Sequence, residues 1–163
     1  MPERAVISNT SPLLYLHQIR QLPLLTKLYQ RILVPEAVVR ELAAGAKRGV
    51  DVPDLTRVPW VEIHPVGEPA LIPAIVDLGA GEAEVIALGL ALRPSLLILD
   101  DQLGRRIATL LELTFTGTLG VLIKAKLAGH IEAVSPALEA LAGTTMRLAP
   151  DLIETVLAEA GEL

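Results

Sequence analysis

Short apolar runs alternate along the chain with longer segments whose apolar positions recur every three or four residues. The short runs are A-V-I (Ala5–Ile7), I-L-V (Ile32–Val34), W-V-E-I (Trp60–Ile63), L-L-I-L (Leu96–Leu99) and T-F-T (Thr114–Thr116). Helical patterns cover Leu13–Tyr29, broken at Pro23, then Glu36–Ala44, Gly81–Leu92, Leu103–Leu111 and Leu119–Ala128. Strands that are apolar on both sides, joined by helical crossovers, predict a three-layer α/β/α fold with a small, mainly parallel sheet. The polar, proline-bearing stretches Gly45–Pro59 and Val66–Pro73 read as loops. Beyond Ser135 the pattern predicts one or two helices divided by the G-T-T turn at Gly143, with Asp151, after Pro150, helping to open the last. No internal repeat or low-complexity tract interrupts this order, so one domain is expected over residues 1–163, with a core of about 5–130 and C-terminal helices over about 135–163.

Composition narrows the class. The chain is 52% hydrophobic, and its mean hydropathy of +0.51 is high for a soluble protein. Yet no apolar run approaches the ~18–20 residues of a membrane span. The longest, Val85–Leu92 and Leu119–Ile123, read as core faces of helices. The opening M-P-E-R lacks a basic stretch followed by an apolar one, so a cytoplasmic location is expected. With no cysteine, disulfides, thiolate metal sites and cysteine nucleophiles are excluded. A net charge of −5 argues against a strongly basic nucleic-acid platform. It leaves room for carboxylates that hold a cation, because the bound ion reverses the local field.

In parallel α/β sheets ligands gather at the carboxyl ends of strands, and polar residues follow two of the apolar runs. S-N-T-S (Ser8–Ser11) follows the first. Ser11 there suits a helix N-cap with Pro12 at the first helical position, which leaves Ser8, Asn9 and Thr10 without a role. Asp100 and Asp101 follow L-L-I-L. Alternation of side chains in extended backbone points one of the pair toward a site and the other away, and one could instead cap the next helix. In V-P-E-A-V-V-R-E-L, Pro35 starts a helix and Glu36 suits its positive end, whereas Glu41 borders the apolar face. In L-G-A-G-E-A-E-V-I-A-L, Glu82 shares a stripe with Val85, Ile86 and Gly89 and so faces inward, while Glu84 points elsewhere. The glycines of that stretch do not make a phosphate loop, since the third glycine of the dinucleotide fingerprint is missing and carboxylates stand where an anion would sit. His17, His64 and His130 are scattered without ligand spacing, and Ser11 lies in no nucleophile elbow. Arg105 and Arg106 are the nearest basic pair to the aspartates, available to a phosphate.

In this order S-N-T-S-P-L-L, V-P-E-A-V-V-R-E-L, L-G-A-G-E-A-E-V-I-A-L, L-I-L-D-D-Q-L-G-R-R-I-A and T-G-T-L-G-V-L, spread over about residues 5–125, resemble the PIN-domain family of metal-dependent ribonucleases. The likeness is greatest to the compact prokaryotic branch that includes the toxins of toxin–antitoxin pairs. The resemblance places the family's acidic positions on Asn9, Glu41, Glu82 and Asp101, as catalytic residues and ligands of Mg²⁺ or Mn²⁺. Asp100 and Glu84 are neighbours able to substitute. It places hydroxyls for substrate contact on Thr10 and Ser11 and implies RNA as substrate, whose phosphates Arg105 and Arg106 would contact unless they only form a solvated helix face. Hard divalent cations prefer such oxygen donors, and a carboxylate-held ion can activate water against a phosphodiester.

The sequence departs from the family pattern at Asn9, where an amide replaces a carboxylate. That departure sustains a second reading, a PIN-like module that binds RNA or protein without cutting. A phosphoacceptor receiver domain fits poorly, because its acidic pair should follow the first strand and here it follows the fourth. Few polar residues interrupt Leu119–Leu127 and Leu152–Leu157, so a homodimer, and a small antitoxin partner, are expected to cover apolar surface there.

Overall fold

The computed structural model describes residues 4–67 and 78–163. Most of the predicted Val66–Pro73 loop lies outside the described residues. Five strands form one all-parallel sheet: β1 (Ala5–Ser8), β2 (Ile32–Pro35), β3 (Val61–His64), β4 (Ser95–Ile98) and β5 (Thr114–Thr116). Their spatial order is β3-β2-β1-β4-β5. Between β1 and β2 lie helices α1 (Thr10–Gln18) and α2 (Leu24–Tyr29); α3 (Glu36–Lys47) follows β2 and α4 (Ala80–Ala91) precedes β4. Helix α5 (Gln102–Leu110) joins β4 to β5, and α6 (Thr118–Leu127), α7 (Ser135–Ala142) and α8 (Pro150–Glu159) complete the chain.

The apolar runs form strands because both faces of the sheet are covered. Every residue of β4 is buried, and in β1 only Ala5 is partly open. Successive strand side chains point to opposite faces, so such continuous burial requires helices on both sides. Helix α4 lies across β4, β1 and β2, with α5 beside it, while α1 and α2 pack with α6. The fold is a three-layer α/β/α sandwich, as the pattern predicts.

Three local expectations are corrected. Helix α1 begins two residues earlier than the cap reading allows, with Asn9 at the cap position and Ser11 already helical. Pro12 then stands third in the helix, still within the first turn, where N–H groups have no intrahelical acceptor. Pro35 closes β2 and occupies the cap position of α3 rather than its first turn. The Gly45–Pro59 loop is shorter than expected, since α3 runs on to Lys47 and a 3₁₀ turn forms at Leu55–Arg57.

The chain runs outward from β1 through β2 to β3, then returns to place β4 on the other side of β1. The sheet therefore reverses its order of connection at the β1–β4 boundary, where ligands bind in open α/β sheets. The backbone N–H of Asn9 donates to the Ile98 carbonyl (3.0 Å), which holds the end of β1 against the end of β4.

Candidate active site

The S-N-T-S stretch ends β1 at this boundary. Ser8 and Asn9 are buried, Asn9 to 1% exposure. Asn9 sits at the cap position of α1, but its side chain makes no capping bond. Instead its Nδ2 donates to Glu82 Oε1 on α4 (3.0 Å). Its Oδ1 is buried without a partner among the described residues. Thr10, next along, donates its hydroxyl to Glu41 Oε2 on α3. The other oxygen of Glu41 accepts the Gly81 N–H at the start of α4 (2.9 Å). The polar residues after β1 thus link α3 and α4, which are far apart in sequence.

Gly81 shows how closely these groups converge. A β-carbon there would stand 2.8 and 2.9 Å from the two Glu41 oxygens and 2.9 Å from Asn9 Oδ1. Asn9 therefore lies between two carboxylates. With its amide toward Glu82, its oxygen is left on the side of the Gly81 cradle that Glu41 borders. Turning the amide would satisfy that side and set oxygen against Glu82. Neither orientation gives every acceptor a proton, and an unsatisfied buried acceptor costs about 1–3 kcal/mol. A cation beside Asn9 Oδ1 would relieve the deficit, and the donor set is the oxygen-only one that Mg²⁺ and Mn²⁺ take.

The aspartate pair occupies the other side of the boundary. Leu99 still donates to Thr116 of β5 (2.8 Å), after which the chain turns. Asp101 caps α5, its Oδ2 accepting the Gly104 N–H (2.7 Å). Asp100 reaches across to α6, where its two oxygens accept the Thr118 N–H (2.8 Å) and hydroxyl (2.7 Å). A carboxylate at that helix N-terminus also complements the macrodipole. Contrary to the expected alternation, both aspartates line the same groove, together with Ser11, Glu82 and Arg105. The strand ladder ends before them, so the pleat no longer separates them. The groove encloses about 740 Å³, and Leu152, Thr155 and Val156 of α8 form its far wall.

The remaining candidates separate into two groups. Arg105 belongs to the site: its Nε donates to the Leu99 carbonyl (2.7 Å), its guanidinium stacks 5.1 Å from the Phe115 ring centre, and Asp100 lies 4.0 Å away. Arg106 is exposed and does not line the groove. Glu84 turns to α3 instead, accepting the Ala37 N–H (3.1 Å) and pairing with Arg40 (3.5 Å). His17 meets Asp51 on the surface, His64 Nδ1 lies against the Pro65 carbonyl, and His130 is exposed. Among the described residues, no three histidine, aspartate or glutamate side chains stand together as a ready-made metal cage. In the Glu41–Asn9–Glu82 group the middle member is an amide.

Two participants escape a reading of residue types alone, Thr118 and Gly117. A β-carbon at Gly117 would overlap the ends of the Arg105 and Asp100 side chains, so a larger residue there would have to displace both from their present positions. The T-G-T spelling was the one available signal.

The family model for the PIN domain matches residues 5–162. The chain belongs to the PIN-domain family. The match spans the sheet, both helical layers and α7 and α8, which lie beyond the motifs that carry the resemblance. No curated protein and no solved structure matches the chain significantly. PIN domains are generally nucleases that use divalent metal ions.

Proposed function

We propose that this PIN domain is a metal-dependent endoribonuclease that hydrolyses phosphodiester bonds at the carboxyl end of β1 and β4. The observation that carries the proposal is the buried, unpartnered Oδ1 of Asn9 beside the Gly81 cradle, between Glu41 and Glu82. Glu41, Glu82 and Asp101 would hold Mg²⁺ or Mn²⁺, with Asn9 Oδ1 as a neutral oxygen ligand and Asp100 as the reserve carboxylate, Glu84 being committed to α3. The ion would activate water and offset charge on the phosphate. Thr10 fixes the rotamer of Glu41, and Asp101 keeps one oxygen clear of its helix cap. Arg105, held flat by Phe115 and the Leu99 carbonyl, presents its guanidinium to a phosphate lying in the groove. Ser11 lines the approach.

In the cell, the reading extends to the cytoplasmic toxin of a toxin–antitoxin pair that works as a homodimer. Leu127 on α6 and Leu152 on α8 support a partner surface, being 71% and 40% exposed on helices that pack together. A small antitoxin that covers the groove would mask the same carboxylates. The second reading, a PIN module that binds RNA or protein without cutting, rests on the amide at position 9, which adds no charge to hold a cation.

Cleavage of labelled RNA with and without Mn²⁺ decides between them. Mn²⁺-dependent cleavage that disappears in the Glu82→Ala/Asp101→Ala double variant is the expected result. Undiminished cleavage in that variant would overturn the residue assignment. Calorimetry without Mg²⁺ or Mn²⁺ binding in the millimolar range would favour the non-cutting module.

A further inference from the structure

At the opposite end of the sheet, three adjacent strands are each preceded by an arginine: Arg4 before β1, Arg31 before β2, and Arg93, one residue removed, before β4. Arg4 and Arg31 line a groove of about 870 Å³ together with Lys124, Tyr29, Trp60 and Glu62. Arg4 continues into a neighbouring hollow that also contains Arg93. The chain as a whole is acidic and only 2% aromatic, yet its sole tryptophan and one of its two tyrosines meet three cations here. Lys124 sits 4.8 Å from the centre of the Tyr29 ring. Glu62 offsets only Arg31, in an exposed pair (3.5 Å) that contributes little to stability. The half-buried rings and the exposed cations leave a polar–aromatic trough, not a packed core.

We propose that this trough is a second binding site, for single-stranded RNA. A row of cations beside half-buried aromatic rings is the arrangement that tracks a phosphate backbone while bases stack. An acidic peptide would use the cations but would have no need of Trp60. The site is separate from the candidate active site: Arg4 and Asn9 flank the two ends of β1, about 17 Å apart at ~3.3 Å per residue. It rests on the reading of this PIN domain as a protein that handles RNA, and would give a long RNA a second hold while another part lies in the acidic groove.

Trp60, being the only tryptophan, is a built-in reporter. Titration of the full chain with a short oligoadenylate RNA, in EDTA at low salt, should quench its fluorescence saturably. Arg4→Ala/Arg31→Ala/Lys124→Ala should weaken that binding at least about tenfold and flatten its salt dependence. Arg31→Ala alone, at an exposed position, should lower the salt slope by about one. Lys47→Ala/Arg48→Ala, at the exposed end of α3, should change neither. Unchanged emission with RNA overturns the proposal, as does equal weakening by the α3 pair. Quenching by polyglutamate as strong as that by RNA would assign the trough to acidic peptides instead. Because EDTA removes the cleavage reaction, failure here is distinct from failure of the nuclease reading.

Discussion

Asn9 is the residue on which the site turns. An asparagine at a helix cap is ordinarily explained by that cap. Here the cap position is kept and the capping bond is not made, because the side chain is drawn to Glu82. Replacing Asn9 by Asp tests what the amide does. The new carboxylate would face Glu82 across the present 3.0 Å contact. Like charges at that distance should lower the melting temperature of the metal-free protein. The same charge should tighten Mn²⁺ binding about tenfold, or about 1.4 kcal/mol, in calorimetry. The gain in melting temperature on adding Mn²⁺ should then exceed that of the parent chain. If neither quantity moves, Asn9 serves the turn alone. Position 9 is legible as polar and strand-terminal from the sequence; its conflict between two carboxylates is not, since Glu41 and Glu82 lie on different helices.

At the scale of elements, carboxylates fasten helices to one another. Glu84 clamps the start of α3, Asp100 the start of α6, and Glu162 the start of α7. Glu162 is the most engaged. Its oxygens accept the Val134 N–H (2.7 Å), the Ser135 N–H (3.1 Å) and the Ser135 hydroxyl (2.7 Å), with Lys126 at 3.0 Å. The Val134 N–H, then the Ser135 hydroxyl, hold its carboxyl down from 4.5 to about 2. A carboxyl whose folded pKa is depressed stabilises the fold fully above its unfolded value and loses that contribution as pH falls through the folded one. The fastening of the C-terminal helices should therefore weaken between about pH 4.5 and about pH 2. Hydrogen exchange of α7 and α8 amides across that range should rise in the parent chain, and already be raised at neutral pH in Glu162→Gln. In the sequence Glu162 is a single acidic residue in the closing A-G-E-L, and nothing in its spacing points to the start of α7.

For the whole molecule, charge is distributed along the strand direction. Asn9, Asp100 and Asp101 follow strands at one end of the sheet, and Arg4, Arg31 and Arg93 precede strands at the other. A net charge of −5 hides that polarity. Apolar excess is resolved unevenly. Val121, Leu122, Ala125 and Val156 of the two stretches expected to seek a partner are buried within the chain itself. Leu127 and Leu152 remain exposed, and Leu110 on α5 is 81% exposed. Light scattering at micromolar concentration should give the mass of a dimer, and Leu127→Glu/Leu152→Glu should shift it toward the 17.4 kDa monomer. A monomeric parent chain would contradict the dimer.

The sequence by itself determined the layers and the edge of the sheet at which the polar residues gather. Continuous apolar runs joined by amphipathic segments can only be buried strands with helical crossovers, and polar residues after such strands fall at the carboxyl edge. Its motif order also sufficed for the PIN resemblance. Tertiary structure alone decided which polar residues meet. Asp101 took the helix cap and Asp100 crossed to Thr118, because the chain turns just past the ladder and pleat alternation stops there. Glu82 and Glu84, two residues apart, parted company: one joined Asn9, the other α3. Local pattern fixes the direction of a side chain relative to its own element. The partner it finds depends on strand order, and the insertion of β1 between β2 and β4 is what brings S-N-T-S to Glu41 and Glu82. Ser11 lines the groove instead of capping α1, and Asn9 holds the cap position with a buried oxygen that has no partner among the described residues.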